Sequence, residues 1–130
     1  MDFLPLTRAD DLGWHSLRDE IAPWIGERAV TLFSYAISHE YGSAVTARYF
    51  REMLISAGDD PDHPQVTETE QLIIDWGRLI VRRPRDIPDA FYARLEVAFT
   101  PERRLALLSF AASVVAINLV NTVGRVPADD

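Results

Sequence analysis

The feature that most constrains the fold is a long apolar segment in the last third of the chain. From Thr100 to Pro127 the sequence reads TPERRLALLSFAASVVAINLVNTVGRVP. Pro101 fits the first turn of a helix, where the N–H that proline lacks would have no partner, and Gly124 predicts the end of that helix. The segment is apolar around most of its circumference, which predicts burial on several sides. Because a domain of 130 residues has little room for such a helix, we expect a second subunit to cover part of it.

The sequence favours a buried helix here over a membrane span. The longest apolar stretch, Leu105 to Ile117, contains serines and is shorter than the ~20 residues that a bilayer span requires. The first residues, MDFLPLTRADD, lack the basic region and apolar run of a secretory signal. We therefore expect a cytoplasmic protein with no membrane partner.

Two missing residue types exclude whole classes of chemistry. The chain has no cysteine, which rules out disulfides, thiolate metal sites and thiol redox cycles. All 13 basic residues are arginine, so a lysine nucleophile and Schiff-base chemistry are excluded. The net charge of −7 opposes binding to phosphate backbones, so nucleic acid is not expected as a partner. The acidic loop from Asp59 to His63 matches no calcium-loop spacing, and we expect neither a metal nor a cofactor.

The spacing of the apolar residues predicts a single all-α domain over residues 1–130, with about six helices. No alternating pattern of useful length indicates a strand. A first helix capped by Thr7 is weakened by Gly13 and Pro23. The others are predicted from Glu27 to Ser38, from the connection at 39–42 to Ala57, from a capping box at Thr67 and Glu70 to Pro84, from Pro88, and from Thr100.

The second half of the chain, from Val66 onward, carries an ordered series of helix starts and links. They are Thr67–Glu70, Arg82–Pro84, Pro88–Phe91, Thr100–Glu102, Asn118–Asn121 and Gly124. In this order and spacing they resemble the carboxymuconolactone decarboxylase and alkylhydroperoxidase-like superfamily. The resemblance implies an alkylhydroperoxidase-like helical fold, and the apolar last helix adds the expectation of a homo-oligomer.

The best-known members of that superfamily use a glutamate, a Cys-x-x-Cys pair and a histidine, and this chain departs from that pattern. Counting from Glu27 places His39 at the first cysteine and Thr46 at the histidine. A second register, four residues later, places Ser43 at the first cysteine and Phe50 at the histidine. Both registers remain open, and both exclude peroxide reduction through a disulfide.

Glu27 is the carboxylate that the resemblance places at the family's pocket. It begins the predicted second helix, where the helix dipole favours its charge, so a surface cap is the alternative interpretation. If the second and third helices form a hairpin, we expect Glu27 beside Thr46, Tyr49 or Phe50. Enclosure there would raise the pKa of the carboxyl and suit it to act as a general base or acid.

Three pairs of residues complete the candidate site. His39 and Tyr49 are candidate catalytic groups beside Glu27, although a histidine at a helix connection is also typical of a solvated turn. Asn118 and Asn121 lie one turn apart on an otherwise apolar helix. Since buried amides need hydrogen-bond partners, they either bridge neighbouring helices or line a pocket and orient a ligand. In the second case we expect Tyr41 and Thr46 to bind the substrate with them.

Two hypotheses for the function remain. The first is a cofactor-free acid–base lyase or isomerase acting on a small anionic or lactone-like metabolite, with Glu27 as base and His39, Tyr41 or Tyr49 as proton donor. The second is a non-catalytic ligand-binding or oligomerisation module on the same helical fold. The polar residues around His39 favour the first hypothesis, and the bulky Phe50 favours the second.

Overall fold

The computed structural model of the protein describes residues 12–127, and in this range it contains six α-helices and no strand. The helices are α1 (Trp14–Ile25), α2 (Glu27–Tyr41), α3 (Ala44–Ser56), α4 (Glu68–Arg82), α5 (Asp89–Ala98) and α6 (Pro101–Val123). The all-α prediction is confirmed. The predicted cap at Thr7 lies outside the described residues, and α1 begins after Gly13, which has a left-handed backbone with φ of 81°.

Two helix starts form as their sequences predict. The Thr67 hydroxyl accepts a hydrogen bond from the backbone N–H of Glu70 at 3.1 Å, and the Glu70 carboxylate accepts one from the N–H of Thr67 at 2.9 Å. At the start of α6, the Thr100 hydroxyl accepts from the N–H of Arg103 at 3.2 Å. Each cap satisfies a backbone donor that the helix itself cannot, a contribution of about 1 kcal/mol.

Helix α2 lies at the centre of the domain and packs against α1, α3, α4 and α6. The Phe33 ring stacks on Trp76 of α4 and on Phe110 of α6, with ring centroids 6.1 Å apart in both pairs. Helix α4 approaches α2 closely because Gly77 has no side chain. A Cβ atom at Gly77 would lie 3.1 Å from Cγ1 of Ile37, which is tighter than ordinary packing.

Helix α6 is apolar on two sides, as its sequence predicts. Its inner face packs against α1, α2, α3 and α5. The buried residues of that face are Ala106, Leu107, Phe110, Ala111, Ser113, Val114, Ile117, Asn118 and Asn121. Opposite them lies a second apolar surface, here called the outer face of α6. Its residues are Leu105, Leu108, Ala112, Ala116, Leu119 and Val123, and the described helices leave four of its leucine and valine side chains exposed.

The complete α6 is long and apolar enough to cross a membrane, by length and composition alone. The shorter stretch from Leu105 to Ile117 does not meet that length. Half of the most apolar part of α6 is buried inside the domain, and its inner face carries the buried amides of Asn118 and Asn121. This packing is typical of the core helix of a helical domain.

Candidate functional site

A cluster of buried polar side chains lies where the end of α2, the start of α3 and the end of α6 meet. Its members are Ser38, Ser43, Thr46, Asn118 and Asn121, and none is more than 5% exposed. The structure therefore brings together Thr46, Asn118 and Asn121, three of the residues predicted to bind substrate. Because polar groups in a core need partners, their hydrogen bonds decide what the cluster can do.

Asn118 connects α6 to α2. Its amide Nδ2 donates to the carbonyl of Val114 at 2.8 Å and to the hydroxyl of Ser38 at 3.0 Å. Its Oδ1 is buried and accepts no hydrogen bond from the described residues. A buried acceptor left in this state costs about 1–3 kcal/mol of folding free energy. The Nδ2 of Asn118 therefore joins α6 to α2, whereas its Oδ1 has no donor among the described residues.

Asn121 connects α6 to α3. Its Nδ2 donates to Oγ1 of Thr46 at 2.8 Å, and the same hydroxyl shares a hydrogen bond with Oγ of Ser43 at 3.0 Å. Ser43 is the N-cap residue of α3, yet its side chain makes no hydrogen bond to the helix backbone. Its hydroxyl is instead hydrogen-bonded to Thr46, the α3 side chain that Asn121 of α6 also contacts.

A groove of about 230 Å³ lies beside this cluster, between the start of α3 and the end of α6. Its lining includes Ser43, Asn121 and Arg125. These groups can donate hydrogen bonds to a polar ligand. The five cluster side chains include neither a carboxylate nor an imidazole, so the cluster itself supplies no general acid or base.

Glu27 is not enclosed, and the expectation that it lies beside Thr46, Tyr49 or Phe50 is wrong. Its side chain is 70% exposed and forms an ion pair with Arg18 of α1. Helices α2 and α3 form an antiparallel hairpin, so the start of α2 faces the end of α3. Glu27 accordingly lines an open groove of about 420 Å³ with Met53 and Ala57.

The other predicted catalytic residues are not gathered around Glu27. His39 is exposed at the last turn of α2, and twelve residues of helical rise separate it from Glu27 by about 18 Å. Tyr41, at the end of α2, is half-buried. Tyr49 is half-buried on α3, and its ring meets the edge of Phe50 with centroids 5.3 Å apart. Glu27 and His39 therefore cannot act together on one small substrate.

Two arginines that no sequence pattern indicates hold the connection between α3 and α4. Arg28 binds the carboxylate of Asp59 at 3.0–3.2 Å and that of Glu70 at 2.6 Å. Arg51 forms a two-pronged pair with Asp62, at 2.8 and 3.0 Å. The spacing between partners, from 11 to 42 residues along the chain, leaves no local signal for either pair.

These pairs shift the ionisation of their members. Hydrogen bonding from Arg51 holds the pKa of Asp62 below its ordinary value, and hydrogen bonding to Asp62 raises the pKa of the Arg51 guanidinium. The pKa of Arg28 is raised chiefly by its hydrogen bond to Asp59. Asp59 and Asp62 are thus already occupied by guanidinium groups, which explains why this acidic loop folds as a clamped connection.

Comparison of the chain with models of known protein families, with curated proteins and with solved structures finds no significant match. The resemblance to the carboxymuconolactone decarboxylase and alkylhydroperoxidase-like superfamily therefore stays a prediction. Any function proposed for this chain must rest on the contacts and exposed surfaces of its own residues.

Proposed function

We propose that the protein is a non-catalytic helical module that assembles with a second copy through the outer face of α6. The observation that carries the proposal is the exposure of large apolar side chains along one side of this helix. Leu105 is 65% exposed, Leu119 is 49% exposed and Val123 is 73% exposed. Water contact with so many apolar groups on one face is unfavourable, and such a face is typical of an interaction surface.

The spacing of these residues supports helix packing. Leu105, Leu108, Ala112, Ala116, Leu119 and Val123 follow one another at intervals of three or four residues, so they form one continuous stripe along α6. No charged residue occurs between Arg104 and Arg125. A partner for this stripe must itself be apolar and uncharged over five turns of helix, and a second α6 has that composition.

The geometry gives less support to the acid–base lyase or isomerase hypothesis. That hypothesis needs an enclosed carboxylate, and Glu27 is exposed at the rim of an open groove. The buried amides have hydrogen-bond partners on neighbouring helices, which fits their interpretation as bridges. Their role in the proposal is to hold the ends of α2, α3 and α6 together, so that the outer face of α6 is presented on a fixed scaffold.

Sedimentation velocity on the full chain and two matched variants tests the proposal. Leu119→Glu places a charge within the stripe, and we expect the assembly to dissociate into monomers that keep their helical circular dichroism. Ile55→Glu is the control, because Ile55 is 52% exposed and belongs to α3, outside the stripe. We expect it to sediment as the wild type does.

A wild-type protein that sediments as a monomer at micromolar concentration would overturn the proposal. A monomer that instead binds uncharged phosphatidylcholine vesicles, and loses that binding with Leu119→Glu, would assign the outer face to a lipid surface. Equal dissociation of the Ile55→Glu control would also count against an interface on α6.

A further inference from the structure

We infer that the two copies pair their α6 helices antiparallel, across a two-fold axis that passes beside Ala112. This inference rests on the proposed assembly and adds its geometry. A closed pair of identical chains is most commonly two-fold symmetric, and in such an interface residue i of one copy contacts residue j of the other in both directions. The stripe on the outer face of α6 has the sequence symmetry that this arrangement requires.

Two leucines of the stripe lie at equal distances from Ala112, one on each side. Leu105 and Leu119 lie seven residues before and after it, about 10 Å along the helix in each direction. In an antiparallel pair centred on Ala112, Leu105 of one copy therefore lies against Leu119 of the second copy. The alanine at the centre removes bulk at the axis, so the two helices can approach closely there.

The next pair of positions is also complementary. Leu108 lies four residues before Ala112, and Ala116 lies four residues after it. Antiparallel pairing places the large side chain of one copy over the small side chain of the other, twice. Parallel pairing would place Leu108 against Leu108 and Ala116 against Ala116, which leaves a crowded layer and an underfilled one.

The charges at the two ends of α6 favour the same orientation. Glu102 is exposed in the first turn of α6, and Arg125 is exposed just after its end. The antiparallel pair brings Glu102 of one copy opposite Thr122 of the second, within one turn of its Arg125. Parallel pairing would instead place Glu102 of one copy against Glu102 of the other, and Arg125 against Arg125. Such rim charges select orientation more than they add affinity.

The neighbouring arginines do not cancel this pattern, because both are held by their own chain. The Arg103 guanidinium lies over the ring of Trp24, 4.7 Å from its centroid. The Arg104 guanidinium donates to the carbonyl of Phe99 at 2.8 Å. Glu102 is therefore the charge at the start of α6 that we expect a second copy to meet.

Single cysteines test the inference cleanly, since the chain contains none. Leu105→Cys, Ala112→Cys and Leu119→Cys are each labelled with a nitroxide, and the distance between the two labels is measured by double electron–electron resonance. Antiparallel pairing predicts the shortest distance at Ala112. It places the two Leu105 labels, and likewise the two Leu119 labels, roughly 20 Å apart along the helix axis, the rise of fourteen helical residues, so both of these distances are clearly longer than that at Ala112. Parallel pairing predicts three similar short distances and would overturn the inference.

A second measurement keeps the test independent of the label. Oxidation of unlabelled Ala112→Cys is expected to form a disulfide-linked dimer, because cysteines beside a two-fold axis meet directly. Failure of this disulfide to form in an assembled protein contradicts an axis at Ala112. If the wild type is assembled but the three labelled variants give equal distances, the proposed assembly stands and only the antiparallel geometry is removed. A monomeric wild type removes the assembly itself.

Discussion

Asn121 and Thr46 are 75 residues apart in sequence, and the amide Nδ2 of the first donates to the hydroxyl of the second at 2.8 Å. Both side chains are buried. This hydrogen bond joins the last turn of α6 to the first turn of α3. It fixes the end of the helix whose outer face we propose as the interface.

Replacing Thr46 by valine is expected to lower the free energy of unfolding by about 1–3 kcal/mol, because it leaves the Asn121 amide and the Ser43 hydroxyl short of a partner in a buried place. Urea denaturation at one fixed protein concentration measures this, since assembly contributes to apparent stability. Thr31→Val is the matched control. Within residues 12–127, the Thr31 hydroxyl bonds only to the backbone of its own helix, and we expect a change within about 0.5 kcal/mol. Equal effects of the two variants would contradict a structural role for the cluster.

Replacing Gly77 by alanine is expected to destabilise the domain. Alanine favours the helix by up to about 1 kcal/mol, but its Cβ would lie 3.1 Å from Ile37 and 3.2 Å from Phe33. Both neighbours are fully buried, and relieving such a contact costs about 1–3 kcal/mol. Thermal unfolding followed by circular dichroism is the measurement. A variant more stable than the wild type would show that α2 and α4 can separate without cost.

The pair of Arg51 and Asp62 is expected to make stability depend on pH in the acid range. The pKa of Asp62 is lowered from its ordinary value of 3.8, first by its hydrogen bond from Arg51. A carboxyl whose pKa is lowered in the folded state stabilises that state fully at pH values above the ordinary pKa of the group. The stabilisation is lost as the pH falls through the lowered pKa. Asp62→Asn should therefore be less stable than the wild type at neutral pH, with a difference that shrinks on acidification.

Urea midpoints measured in low salt at a series of pH values test this expectation, because salt screens exposed pairs. Asp86→Asn, at another exposed loop aspartate, controls for the general effect of removing a negative charge. A difference between the wild type and Asp62→Asn that grows as the pH falls would have the wrong sign for this pair.

Local signals in the sequence were sufficient for several elements. The capping box at Thr67 and Glu70 marks the true start of α4, and Thr100 with Pro101 marks the start of α6. The amides of Asn118 and Asn121 stand out because each is costly in an apolar helix, and the structure buries both. These features depend on residues within one or two turns of each other, so the sequence carries them directly.

The position of Glu27 required information that local patterns do not carry. In a hairpin that turns at Gly42 and Ser43, position 27 lies fifteen residues before the turn and faces a position about fifteen residues after it. That position is close to Ala57, at the opposite end of α3 from Thr46. Counting through the turn would have located it. Alignment to a family motif assigned Glu27 instead to a pocket that the hairpin cannot form there.

Ser38 and the two arginine pairs were missed for a related reason. A serine in an apolar helix often has no particular role, and only a hydrogen-bond partner on another helix makes it part of a polar cluster. Ser38 acquires that partner from Asn118, 80 residues away. Arg28 likewise acquires Asp59 and Glu70 only after α3 and α4 have packed around α2.

The molar mass of the wild-type chain in solution, measured by multi-angle light scattering at micromolar concentration, tests the central claim most directly. Exposed apolar side chains along the outer face of α6 predict a mass of at least twice the 14.7 kDa of one chain. A single species of 14.7 kDa that stays folded and does not change with concentration would contradict the proposed assembly.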